Sequence, residues 1–310
     1  MPADSETAAL IASKPILRRI VEGSADIRQE PPDSISFQHS VMCQLGMPRS
    51  QPKSRQFERS SGCTSLLMEA GQLYLGGKWV ELPLPYGTRP RLALIHMSTQ
   101  AIQTRSKVIE IGRSVREYMR TLGISTDGRE YARFKRQIEA LSACKVTLGM
   151  SKDGADVTLN TQPIRSFKAW FTKDGQQGSM WPGVVELSDD FFETLLEHAV
   201  PLDNRAIGML QHSPLGLDIY TWLAQRLYRV RSAKGSRVSW AALRSQFGHE
   251  YADPRNFKRK FKTALRQVYA AYPTAKIEEI DGGLRLFESP PPVTPRRRSR
   301  CTLKPRITAG

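Results

Sequence analysis

The strongest constraint on this chain is a pattern that occurs twice. VIEIGRSVREYMRTLGISTDGREYARFKRQIEAL and, further on, RVSWAALRSQFGHEYADPRNFKRKFKTAL each read as a short strand, a helix stopped by glycine, a polar turn and a second helix. Tyr118, Leu122 and Gly123 fall opposite Leu243, Phe247 and Gly248, and FKR at 134–136 falls opposite FKR at 257–259 after a two-residue length difference. An apolar helix precedes each copy (RLALIHMSTQAIQT, then LGLDIYTWLAQRLYRV). Hairpins follow: KVTLGM with DVTLN and IRSFKAWF with MWPGVVEL after the first copy, AKIEEI with LRLFE after the second. Helix, strand, helix, turn, helix and hairpin, twice over, describe an α+β chain of two tandem winged-helix domains.

The flanking composition sets the expected boundaries. Residues 1–34 mix Ala, Ser, Glu and Pro and end in EPPDS, which suggests a flexible N-terminal arm with at most a short amphipathic turn between Leu10 and Val21. The first domain is expected over 35–180, its beginning built of strands in FQHSVMCQLGM, CTSLLMEAGQLYL and KWVELPL. The second is expected over 181–289, opening on a helix that Ser188, Asp189 and Asp190 start. The remainder, 290–310, holds six cations and no acid and is expected to be a basic, disordered tail.

Charge narrows the partner. With 310 residues, 40% hydrophobic and a formal net charge of +16, the chain has apolar content for two cores and attracts polyanions. A membrane span needs an apolar run of roughly 18 residues, and none is present; the N-terminal stretch also lacks the order of a secretory signal. Cys43, Cys63, Cys144 and Cys301 form no CxxC pair, so free thiols in a reducing compartment are expected rather than a zinc ribbon.

The two helices after the polar turns carry the charge. On the second, Arg255, Lys258, Arg259, Lys262 and Arg266 share one face, while Phe257, Phe261, Leu265, Val268 and Tyr272 take a largely opposed one. No acid interrupts the cations from Arg255 to Tyr272, unlike an ordinary solvated face that interleaves acids at i+4. On the first, Arg129, Arg133 and Arg136 share a face opposed to Phe134, Ile138 and Leu141. The helix in this position enters the major groove in helix-turn-helix docking. The arginines Arg133, Arg136, Arg255 and Arg259 suit base edges, and Lys258 and Lys262 suit phosphate. Asn256 suits either an adenine edge or a plain surface role, and Lys152, Lys168 and Lys173 are candidate wing cations.

Catalytic patterns are missing. His39, His96, His198, His212 and His249 include no closely spaced pair of the kind that holds a metal beside a nucleophilic tyrosine. GQLYLGGKW lacks the glycine spacing and hydroxyl residue of a phosphate loop. No enzyme activity, cofactor or metal is expected.

At LPYGTRPRLALIHMSTQAIQT, VIEIGRSVREYMRTLGI and YARFKRQIEALSACKVTL the chain resembles the plasmid-encoded RepA family of replication initiators, with the likeness running from Ile35 to Phe287. That resemblance implies a cytoplasmic bacterial protein that binds repeated sites in double-stranded plasmid origin DNA and helps open the duplex. It further implies recruitment of the host initiator and replicative helicase, and exchange between a homodimer and a monomer. DNA contact carries over to Arg129, Arg133 and Arg136, and to Arg255, Lys258, Arg259 and Lys262. A winged-helix transcriptional regulator without a replication role is the competing expectation, and a nicking or integrase-like enzyme is a third.

Overall fold

A computed structural model describes residues 14–152, 155–168 and 183–293. The chain begins with α1 (Pro15–Gln29), β1 (Ile35–His39) and α2 (Ser40–Leu45), followed by the hairpins β2 (Gln56–Ser61) with β3 (Thr64–Glu69) and β4 (Gln72–Leu75) with β5 (Lys78–Glu81). The first copy of the repeat comprises α3 (Thr88–Thr104), β6 (Val108–Glu110), α4 (Val115–Thr121) and α5 (Gly128–Ala143). Strands β7 (Lys145–Lys152), β8 (Ala155–Thr161), β9 (Ile164–Lys168) and β10 (Val184–Leu187) follow. Next come α6 (Asp189–His198), β11 (Ala199–Asp203) and α7 (Asn204–Leu210). The second copy comprises α8 (Pro214–Arg226), β12 (Ser236–Ser239), α9 (Trp240–Phe247), α10 (Pro254–Ala271), β13 (Ile277–Ile280) and β14 (Gly283–Leu286).

Both copies fold in the winged-helix order. In the second, β14 pairs antiparallel with both β12 and β13, so the strand before α9 closes onto the hairpin after α10. In the first, β6 pairs with β10, which pairs with β9. The wing there is thus the second of the two expected hairpins. The first, β7–β8, joins β3 in a sheet of order β2-β3-β7-β8.

Several boundaries differ from expectation. The arm assigned to 1–34 includes α1, which lies on α7 and α10 and packs Ile20 and Ile27 against the second core. A Cβ on Gly23, inside α1, would lie 2.5 Å from Met209 Cγ; the glycine lets α1 approach α7. Ser40–Leu45 is helical where a strand was expected, because a short apolar run does not distinguish the two and His39 caps it by accepting from Val41 N. The boundary at 180/181 falls between the paired strands β9 and β10, and Val185, Leu187, Phe191 and Leu195 all belong to the first core. β1, in turn, pairs along its length with β11. Tyr272 donates its hydroxyl proton to the Pro290 carbonyl at 2.6 Å and Val293 is buried, so the tail begins packed; 294–310 lie outside the described residues.

One helix serves both cores. On α3, Leu92 and Ile95 face the second core, and Ala93, Leu94, Met97 and Ala101 face the first, which explains an apolar pattern that runs nearly all round it. Beside it lies a buried charge cluster. Arg91 donates from Nε at 2.7 Å and Nη2 at 2.9 Å to the carboxylate of Asp218 on α8, and also reaches the carbonyls of Met47, Pro48 and Gly87. Arg49 lies 3.9 Å from Asp218 and 3.6 Å from Glu250. Gly46 has a φ of 59°, and a Cβ there would come within 2.8 Å of the Asp218 carboxylate; only glycine fits both demands. The first helices of the two copies are therefore tied by a bidentate ion pair.

Candidate nucleic-acid interface

α10 is built from its cap outward. Asp253 accepts from the backbone N–H groups of Arg255 at 2.9 Å and Asn256 at 3.2 Å, and Pro254 occupies the first turn, where its missing N–H costs nothing. Phe257, Phe261, Ala264, Leu265, Val268 and Ala271 are buried. Ring contacts of Phe257 and Phe261 with each other, and of Phe261 with Phe247 and Trp240, lock the helix against α9. Arg255, Arg259, Lys260 and Arg266 remain exposed. Among the described residues, the side chains of Arg255 and Arg266 make no hydrogen bond or ion pair.

α5 follows the same plan. Asp127 accepts from Glu130 N at 2.9 Å, and Ser125 Oγ donates to its other oxygen at 2.9 Å. Those two hydrogen bonds, the backbone one foremost, hold its carboxyl below the usual aspartate range. Phe134 is buried edge-on to Tyr118 at 5.8 Å, with Ile138 and Leu141 beside it. Arg129, Arg133 and Arg136 are exposed.

The capping aspartates set the correspondence between the two helices. Counted from them, FKR stands at different depths: Phe134 is seven residues past Asp127, Phe257 four past Asp253. The cations, however, coincide: Arg129 and Arg255 at two residues, Arg133 and Arg259 at six, Arg136 and Lys262 at nine. The residue three past each cap holds the arginine six past it. Arg133 donates to Glu130 Oε1 at 3.0 Å, and Arg259 Nη2 donates to Asn256 Oδ1 at 2.9 Å. Asn256 is thus a support for Arg259, a role its sequence position alone did not single out.

The two supports differ in charge. Glu130 also accepts from Arg89 Nε at 3.1 Å; burial alone would raise its pKa, but Arg89 and Arg133 together hold it below the ordinary glutamate range. α5 carries four cations and two acids, α10 six cations and none. Arg129 and Arg136 also lie within electrostatic reach of Asp127 and Glu139.

Two predicted contacts are partly engaged inside the protein. Lys262 forms an ion pair with Glu279 on β13 and lies 5.9 Å from the Trp240 ring, while Lys258 lies 4.9 Å from the same ring. Sequence spacing missed both partners because they come from another element. The tip of the second wing is acidic, with Glu278, Glu279 and Asp281 exposed and Glu278 3.3 Å from Arg285. Lys152 and Lys168 end β7 and β9, and Lys173 lies outside the described residues.

No group of His, Cys, Asp and Glu among the described residues has an arrangement that holds a metal ion, and no described helix is long and apolar enough to cross a membrane. Cys43, Cys63 and Cys144 are free thiols; Cys301 lies outside the described residues.

Comparison with curated protein sequences gives no match. Among solved structures the chain is similar to two crystal structures of domains 2 and 3 of RctB, each at 12% identity and a TM-score of 0.47, over 79% of this chain and 94% of that one. The family model described as plasmid-encoded RepA protein matches residues 84–242, from the start of the first winged helix through α3, both helices of the turn and α8 into α9. That match covers half of the chain, and the chain belongs to the family of plasmid-encoded RepA proteins.

Proposed function

We propose that this protein initiates plasmid replication by binding repeated sites in double-stranded origin DNA through α5 and α10, as a DNA-binding protein rather than an enzyme. The observation that carries the reading is the recurrence of cations two, six and nine residues past each capping aspartate, with the arginine at six supported in both helices. A guanidinium fixed on one side has less freedom to lose when its other edge meets guanine O6 and N7 in the major groove. Arg133 and Arg259 are therefore the base readers. Arg129, Arg136, Arg255 and Arg266 hold phosphate, with Lys258 and Lys262 contributing from their places beside Trp240.

In this reading the bound chain promotes opening of the adjacent duplex in a bacterial cytoplasm and brings in the host initiator and replicative helicase. A homodimer in exchange with the monomer is the stored form. DNase footprinting on the DNA flanking the gene tests the proposal. Several protected direct repeats beside an A·T-rich segment are expected; a single protected promoter palindrome would assign the chain to transcriptional regulation instead.

A further inference from the structure

Both recognition helices are fastened to one strip of backbone. Residues 47–50, which precede β2, and residues 86–87, which precede α3, lie side by side, because Gly87 N donates to the Pro48 carbonyl at 3.1 Å. Arg91 secures the join through the carbonyls of Met47, Pro48 and Gly87. α5 is attached through the second part: Tyr86 N donates at 2.7 Å to Oε1 of Gln137, a buried residue ten positions past the Asp127 cap. The other helix-turn-helix is attached through the first part. Glu250, in the turn between α9 and α10, accepts from the backbone N–H groups of Arg49 at 2.7 Å and Ser50 at 3.4 Å. Arg49 Nε stands 3.6 Å from the other oxygen of Glu250, and its guanidinium also donates to the Phe247 carbonyl at the end of α9.

We propose that Glu250, through its hydrogen bonds to the backbone of Arg49 and Ser50, is a positioning residue that fixes the separation of α5 and α10, and so the spacing between the two base contacts within one repeat. The route from Gln137 through Tyr86, Gly87, Pro48 and Arg49 to Glu250 needs only three hydrogen bonds, and none of these residues belongs to either hydrophobic core. Apolar packing is non-directional, whereas a hydrogen bond has a preferred line and is stronger when its acceptor is ionised. Glu250 is the charged acceptor on the route. Its side chain is 24% exposed and is engaged by residues 49 and 50, so its part is to hold the turn rather than to touch DNA. The inference rests on the duplex-binding reading, in which Arg133 and Arg259 read bases. One added base pair displaces the second contact by about 3.4 Å along the duplex and about a tenth of a turn around it. Two helices held rigidly cannot follow both displacements, and a loosened joint can.

The full chain, Glu250→Ala and Glu250→Gln are titrated with the preferred repeat and with widened repeats. The widened duplexes carry added base pairs between the segments whose protection is lost in Arg133→Ala and in Arg259→Ala. The quantity read is the ratio of affinities for native and widened spacing within each protein, which removes the effect of the lost charge. The unmodified chain should lose on the order of ten-fold for one inserted pair. In Glu250→Ala the loss should shrink to a few-fold. Glu250→Gln makes the same change of charge but keeps an oxygen acceptor for the two N–H groups, and should stay near the unmodified ratio. Thermal melting is followed for each protein; should Glu250→Ala melt early, Arg49→Met/Glu250→Ala, which leaves no guanidinium without its carboxylate, repeats the test. An undiminished ratio in a folded variant with alanine at 250 would overturn the proposal, as would equal loosening by alanine and glutamine. Both results leave the two-helix reading standing, whereas a full chain indifferent to spacing would overturn the two together.

Discussion

Arg259 reaches the surface with its charge intact because the side chain that steadies it, Asn256, is neutral, whereas the equivalent Arg133 shares the negative Glu130 with Arg89. Small differences between matched residues thus make two copies of one motif unequal. Another residue-scale consequence concerns acid stability. His39 is buried, caps α2 through Nδ1 and stacks on Phe191 at 5.4 Å. Burial, and secondarily the neighbouring His198, lowers its pKa to about 4. Protons bind the unfolded chain more readily between the ordinary histidine value and that one, so His39 lends stability that is full above about pH 6.5 and is lost as pH falls toward 4. Urea unfolding as a function of pH should show this slope. His39→Asn, which keeps an oxygen acceptor at the cap, should flatten it; an unaltered slope would show that His39 does not set it.

Elements show which parts of the fold were legible in the sequence. Asp127 and Asp253 announce α5 and α10 because capping is local, and the phenylalanine and cation spacing identifies the buried and open faces of both helices. The alignment of the copies is less legible: the repeated FKR letters stand at different depths in the two helices, and the caps, not those letters, set the register of the cations. Pairing across elements left no local trace at all. Neither the diversion of β7–β8 to β3 nor the approach of Glu279 to Lys262 follows from the spacing within one segment. The second of these changes what Lys262 does. On the proposed reading, Lys262 paired with Glu279 offers DNA little net charge, so Lys262→Ala should weaken binding less than its place on the cationic face suggests. Glu279→Gln should tighten binding to any duplex several-fold and steepen the salt dependence by about one charge. Fluorescence anisotropy over a salt series measures both, and a Glu279→Gln slope equal to that of the unmodified chain would contradict the masking.

Across the whole molecule, the two winged helices are held by α3, which belongs to both cores, and by the Arg91–Asp218 pair between their first helices. Asp218 has its side chain 5% exposed and lies beside Arg49 as well as Arg91. Removing it leaves buried cations without a counter-charge, so Asp218→Ala should cost about 3–5 kcal/mol in urea unfolding. The paired change Arg91→Met with Asp218→Leu should cost less than the single one, because no orphaned charge remains; a small effect of Asp218→Ala would remove this pair from the account of how the units are joined. Family membership, the net charge of +16 and the duplicated, supported arginines all support the proposed reading, in which the chain grips duplex DNA with two helices of unequal strength. Equilibrium titration of Arg133→Ala and Arg259→Ala with the preferred repeat and with an unrelated duplex tests that claim most directly. Each substitution should weaken the preferred repeat by about 1–3 kcal/mol and the unrelated duplex by much less, narrowing the gap between them; unmodified affinity for both DNAs in both variants would contradict it.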